Sequence, residues 1–243
     1  MSQREPLRAV FLDVGNTLVR EEPSRFAIYA EAACSRGAEL DERAMLGLMR
    51  RAHEELPPEI DGAFRYSDPW FEAYIGKIFH DYLGLAEAHL PAITAELFGR
   101  FEDPRTFRLF AGADTLLDAC RERGLTVGVV SNWSARLPRV LAAVGLAERL
   151  DFVVCSAIVR QEKPDPAIFH TALEHAGVPP TAVLHAGDHP DKDGAAALDV
   201  GIAPVLVDHA GALAAGAAPG IPRVTSLGEL QSLILARLPR EAR

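Results

Sequence analysis

Lysine is the scarcest charge carrier in this chain: Lys77, Lys163 and Lys192 are the only three among 25 lysines and arginines, and no basic tract is present. With a formal charge of -9 and a pI near 5.4, the chain suits neither nucleic acid nor an anionic membrane as a partner, while leaving room for a local cationic pocket. Cysteine is equally sparse. Cys34, Cys120 and Cys155 are far apart and show no CxxC spacing, which argues against a disulfide or zinc framework and predicts reduced, buried thiols of a cytoplasmic protein. Long apolar runs are missing too: MSQREPLR leads only into Ala9–Leu12 before Asp13, too little for a signal-peptide core or a membrane span. There is no internal repeat, and the Ala/Gly-rich residues 210–220 read as a mobile loop. A soluble intracellular monomer or homodimer is expected.

What is present is a large apolar fraction, 49% of 243 residues, enough for one large α/β domain or a core carrying an insertion. AVFLDVGNTL, residues 9–18, organises the rest. Its apolar start suits a strand buried on both faces of a parallel sheet. Ligands bind beyond the carboxyl ends of such strands, so Asp13 should point into the crevice, with Gly15 allowing close backbone approach.

Residues 24–100 are rich in Ala, Leu, Glu and Arg at helical spacings, which predicts a helical insertion. Ser24 and Asp41 read as caps of its first two helices, Pro57 and Pro58 end the second, and residues 61–67 form a loop before helices over 68–84 and 90–101. Phe64, Tyr66, Trp70, Phe71 and Tyr74 read as packing between these helices. From Phe107 the pattern becomes helix 113–123, strand LTVGVVSN, helix LPRVLAAVG, strand DFVVCS, loop AIVRQEKPDP and helix AIFHTALEHAG. A strand ending in Gly187–Asp188, a helix, the strand APVLVD and a last helix over 227–238 follow. Repeated strand-to-helix units mean a parallel, Rossmann-like sheet. The expected division is a core over 1–19 and 105–243 with a helical cap over 20–104.

Taken singly, Asp13 also reads as a turn residue, Ser131–Asn132 as a helix cap, and Asp188 with Asp193 as a capped helix start. Together, Asp13, Ser131, Lys163, Asp188 and Asp193 should face one crevice, a set suited to phosphoryl chemistry. Carboxylates and a glycine carbonyl hold Mg²⁺, Lys and Ser bind phosphoryl oxygens, and Asp13 acts as nucleophile.

In order and spacing these motifs resemble the haloacid dehalogenase-like hydrolase superfamily, in its branch with a helical cap after the first strand. Asp13-Val14-Gly15-Asn16-Thr17 matches the first motif, Ser131 after VGVV the second, Lys163 in EKPDPAIF the third, and Gly187–Asp188 with Asp193 the fourth. The resemblance implies an α/β core with a mobile cap and an aspartyl intermediate on Asp13. It implies Mg²⁺ held by Asp13, the carbonyl of Gly15 and Asp188, supported by Asp193, with Ser131, Asn132, Lys163 and Thr17 on the phosphate.

One departure stands out. Phosphatases of the superfamily place a second Asp two residues after the nucleophile as general acid, and here that position is Gly15. Phosphonate-cleaving relatives need an early cap lysine, absent from residues 20–55, and dehalogenating relatives lack the acidic pair kept here as Asp188 and Asp193. A Mg²⁺-dependent phosphatase on a small phosphorylated metabolite is therefore expected, with His189 or a cap residue as a substitute proton donor. The alternative is a catalytically weakened phosphate-binding or protein-interaction member of the same fold, and carbon–halogen hydrolysis ranks last.

Overall fold

The structure, a computed structural model, describes residues 5–214 and 216–238; residues 1–4 of the amino-terminal stretch and residue 215 of the Ala/Gly-rich stretch lie outside them. β1 (Ala9–Leu12) is followed by β2 (Val19–Glu21), α1 (Arg25–Cys34), α2 (Glu42–Glu55), β3 (Glu59–Ile60), β4 (Ala63–Phe64), α3 (Asp68–Gly76) and α4 (Leu90–Glu102). The chain continues through β5 (Phe107–Leu109), α5 (Ala113–Glu122), β6 (Thr126–Ser131), α6 (Leu137–Ala143), β7 (Phe152–Cys155), α7 (Ser156–Val159) and α8 (Pro166–Ala176). It closes with β8 (Val183–Gly187), α9 (Ala196–Asp199), β9 (Ala203–Val207), β10 (Arg223–Val224) and α10 (Leu227–Ala236).

Six strands form one parallel sheet in the order β10-β9-β8-β1-β6-β7. β1 lies between β8 and β6, which cover its edges, helices cover both its faces, and all four of its residues are fully buried. Alternation divides them. Val10 and Leu12 join the core made with α5, α6 and α10, whereas Ala9 and Phe11 join the one made with α8 and α9, as a period of two requires.

The helices α1–α4 enclose a separate apolar core around Tyr29, Met45, Trp70, Phe79, Ile93 and Leu97. Ser24 and Asp41 cap α1 and α2 as expected, accepting from the amides of Ala27 and Ala44, and Pro69 occupies the first turn of α3. Trp70 stacks on Tyr74 with centroids 5.3 Å apart, and both are buried. This cluster is packing, as read.

Several expectations need correcting. Residues 61–67 are not a plain loop: Asp61 (φ 48) and Gly62 (φ 79) turn the hairpin between β3 and β4. Asp-Gly favours this two-residue turn because both central residues must take positive φ. The helix over 68–84 is α3 continued by a wider π-helical turn, Lys77–Tyr82. The AIVRQEKPDP loop opens with the single-turn α7. β2 and β5 pair antiparallel where the chain leaves and re-enters the sheet domain, and β10 extends the sheet; at two or three residues each, they are too short for alternation to register. Cys34, at the end of α1, is exposed, unlike buried Cys120 and Cys155. Among the described residues no helix is long and apolar enough to cross a membrane.

Candidate active site

The central strands end together. The register pairs Leu12 with Val129 of β6 and with Ala186 of β8, so Asp13, Ser131 and Asp188 emerge at one sheet edge, where Asp13 donates its amide to the Ala186 carbonyl at 2.9 Å. Lys163 reaches the same place from the loop before α8. Its buried ammonium donates to Asp13 Oδ1 at 2.8 Å, Asp193 Oδ1 at 2.6 Å and the Val130 carbonyl at 2.9 Å. Those three bonds use all three of its donors.

Asp193 returns to this point on the π-helical turn Pro190–Ala195. Besides Lys163, its Oδ1 accepts from His185 Nε2 at 2.9 Å, and its Oδ2 accepts the His189 amide at 3.0 Å. A Cβ on Gly187 would fall inside the Asp193 carboxylate, so glycine is what lets that side chain approach. Asp13, Asp188 and Asp193 each bring a carboxylate oxygen within 4.8 Å of the others.

The charges explain the titration of the group. Burial opposes the charge on Lys163, but Asp13 and Asp193 outweigh it and hold the ammonium above its usual pKa. Burial likewise opposes the charge on Asp193, and Lys163 and His185 outweigh it in the opposite sense, holding the carboxyl below its usual range. Asp188 has less help. Burial, then the charges of Asp13 and Asp193, push its carboxyl up to about 7, against weaker support from Lys163 and Asn16.

Residues 7–201 match the family model of haloacid dehalogenase-like hydrolases. The chain belongs to that family. The hydrolase is 34% identical to haloacid dehalogenase-like hydrolase domain-containing protein 3 of Bos taurus, over 97% of this chain and 96% of the relative. It is 32% identical to a phosphoserine phosphatase of Thermus thermophilus over 71% of each chain. Among solved structures, a predicted phosphoglycolate phosphatase from Haemophilus somnus superposes with a TM-score of 0.69 at 17% identity, covering 93% of the hydrolase and 97% of that chain; this likeness concerns the fold alone.

Of the residues singled out from sequence, Asp13, Lys163, Asp188 and Asp193 come together in the hydrolase, and Ser131 lies buried at the end of β6 beside them. Asn132 has another engagement: its amide donates to the Lys163 carbonyl and accepts from the Lys163 amide, both at 2.8 Å. That clamp fixes the main chain carrying the ammonium. Thr17 is fully buried, and its hydroxyl has no partner among the described residues. His189 Nδ1 accepts the amides of Asp191 and Lys192, which makes the ring a cap for the turn, and burial lowers its pKa, favouring the neutral form.

Three residues escaped the sequence reading. Asn16 takes φ 54 and donates to Asp188 Oδ2 at 3.3 Å; asparagine tolerates that left-handed conformation. His185 interrupts an apolar strand, itself a signal, and is wholly buried with Nε2 on Asp193. Arg25 stands next to Gly15 across the cleft.

Proposed function

We propose that this hydrolase is a Mg²⁺-dependent phosphatase of small phosphorylated metabolites that works through an aspartyl-phosphate on Asp13. The observation carrying this reading is the Asp13–Lys163–Asp193 chain: Oδ1 of the nucleophile is anchored, and Oδ2 has no hydrogen bond to a described residue. In the first step Oδ2 forms a bond to phosphorus while the bond to the leaving oxygen breaks. In the second, water adds to that phosphorus, inorganic phosphate departs and the carboxylate is restored.

The donor set fits a divalent cation. Three clustered carboxylates facing one ammonium leave a formal excess of two negative charges, which adds to burial in raising the pKa of Asp188. Asp13 through its other carboxylate oxygen, Asp188 and the Gly15 carbonyl would hold Mg²⁺; that carbonyl accepts none of the bonds closing its turn, from Thr17, Leu18 and Val19 to Val14 and from Asn16 to Val19. With both its oxygens engaged, Asp193 fixes Lys163. When bound, Mg²⁺ supplies positive charge that offsets the phosphoryl oxygens. Ser131 binds the phosphoryl group, and Lys163 joins it by exchanging one of its three bonds. In this reading residues 20–104 are the cap that selects substrate, in a cytoplasmic protein.

Gly15 offers no proton to the leaving group. A positioned general acid contributes about 10²- to 10⁴-fold in rate, so aryl and acyl phosphates should be cleaved far faster than alkyl phosphates. The test is phosphate release from p-nitrophenyl phosphate and ethyl phosphate with Mg²⁺, by wild type and Asp13→Asn. A wide aryl preference and loss of at least about 10³-fold on substitution are expected; near-wild-type activity of Asp13→Asn removes the aspartyl mechanism. If phosphate stabilises the fold but no ester is turned over, the weakened binding member suggested by Gly15 is the better description.

A further inference from the structure

Where the family's second Asp would stand, this chain has a cation. A Cβ placed on Gly15 would lie 3.7 Å from Arg25 Nη2 and 3.3 Å from Trp133 Cζ3, so the volume beside the leaving-group position is bounded by a guanidinium and an indole. The main chain that carries the indole is fixed: the Trp133 amide donates to Ser156 Oγ at 2.9 Å, and its carbonyl accepts from the Ala157 amide. Arg25 is placed against local preference. It is the first residue of α1, where the positive end of the helix dipole disfavours a cation. Glu21, with its side chain 7% exposed, offsets this by accepting from Nη2 at 2.6 Å. A local rule broken with a compensating partner points to a demand from the site.

That one bond leaves most of the fork open. Arg25 Nε and Nη1 make no hydrogen bond to a described residue, and the side chain is 39% exposed. The charged side chains that act on its guanidinium, Glu21 in contact and Asp188 beyond it, are negative, and the Lys163 ammonium of the site has its three donors on Asp13, Asp193 and the Val130 carbonyl. The free edge of Arg25 offers a second anionic group on a substrate a cation with unused donors, and it matches an oxyanion in two parallel hydrogen bonds.

Resting on the phosphatase reading of the same site, we infer that Arg25 selects phosphate esters whose leaving group bears a second oxyanion, a carboxylate or another phosphate. Gly15 serves this by leaving the space open: an Asp there would meet Arg25 and occupy the fork.

The experiment compares kcat/KM with Mg²⁺ for matched esters. Phosphoglycolate is set against ethyl phosphate, propanediol bisphosphate against propyl phosphate, and p-nitrophenyl phosphate is the common reference, in wild type, Arg25→Met and Arg25→Lys. Wild type should prefer one charged member over its neutral match by about tenfold to a hundredfold, the range of a charge-assisted hydrogen bond, mainly through KM. The pair that shows it tells carboxylate from phosphate. Arg25→Met should bring that ratio close to one, and Arg25→Lys should keep part of it, since charge without the fork recovers only part of the contact. A wild-type ratio near one overturns the inference, as does a ratio that survives in Arg25→Met while the reference substrate falls in step, because Arg25 would then act on the shared phosphoryl group. Absence of p-nitrophenyl phosphate turnover by wild type is the separate failure of the phosphatase reading, and the inference falls with it.

Discussion

Lys163 is held by bonds that are also the means by which it holds others. Removing its charge leaves Asp13 and Asp193 buried with no cation between them. The resulting uncompensated charge costs about 3–5 kcal/mol where a buried pair is broken. Lys163→Met should therefore destabilise the metal-free protein by that amount in urea denaturation, beyond any effect on phosphate affinity. A loss below about 1 kcal/mol would show that the ammonium does not hold the two carboxylates. The neighbouring residues make the same point about roles. Asn132 looks like a ligand-binding amide in sequence, yet both its polar atoms serve the Lys163 main chain.

At the scale of elements, the β3–β4 hairpin joins the helical part to the loop carrying Lys163. Arg65, just past β4, donates to Glu162 at 2.9 Å, and Arg160 donates to Glu59 at 2.7 Å and to the Gly62 carbonyl at 3.1 Å. Beneath the hairpin, His53 of α2 meets the Tyr66 hydroxyl at 3.2 Å. Burial first, then the charges of Arg65 and Lys192, press the His53 pKa down to about 4. An unfolded histidine titrates near 6.5, so between that pH and 4 the unfolded chain takes up a proton that the folded one refuses. The stability contributed by neutral His53 is complete above pH 6.5 and is lost as pH falls toward 4. His53→Asn should lose stability less steeply than wild type over this window, measured by denaturation at half-unit steps. Parallel curves would mean that His53 titrates normally in the fold.

For the whole molecule, a site that holds Mg²⁺ as proposed would make stability depend on the cation. Mg²⁺ that binds only the folded state stabilises by RT ln(1 + [Mg²⁺]/Kd), so the melting temperature should climb with Mg²⁺ and return with EDTA. Asp188→Asn should blunt this rise while leaving the metal-free protein at least as stable, because the buried carboxylate it replaces is crowded by Asp13 and Asp193. A melting temperature indifferent to Mg²⁺ in the wild type would exclude a site of this kind.

The amino-acid sequence by itself determined the features whose causes are local. Ala9–Leu12 reads as a buried strand because apolar runs and the glycine and aspartate that stop them act over a few residues, and the same holds for the caps Ser24 and Asp41. The Asp61–Gly62 turn also has a local cause, the positive φ preference of its dipeptide, although the expected loop over residues 61–67 passed over it. Motif order brought Asp13, Lys163, Asp188 and Asp193 to one crevice. Only the tertiary structure decided what each does there. Asp13 and Lys163 are 150 residues apart, and nothing local to either says that the ammonium serves two carboxylates, or that His185 supports one of them. Nor does any local pattern bring Arg25 close to Gly15: that proximity depends on where packing sets α1, and packing sums weak contacts from the whole chain.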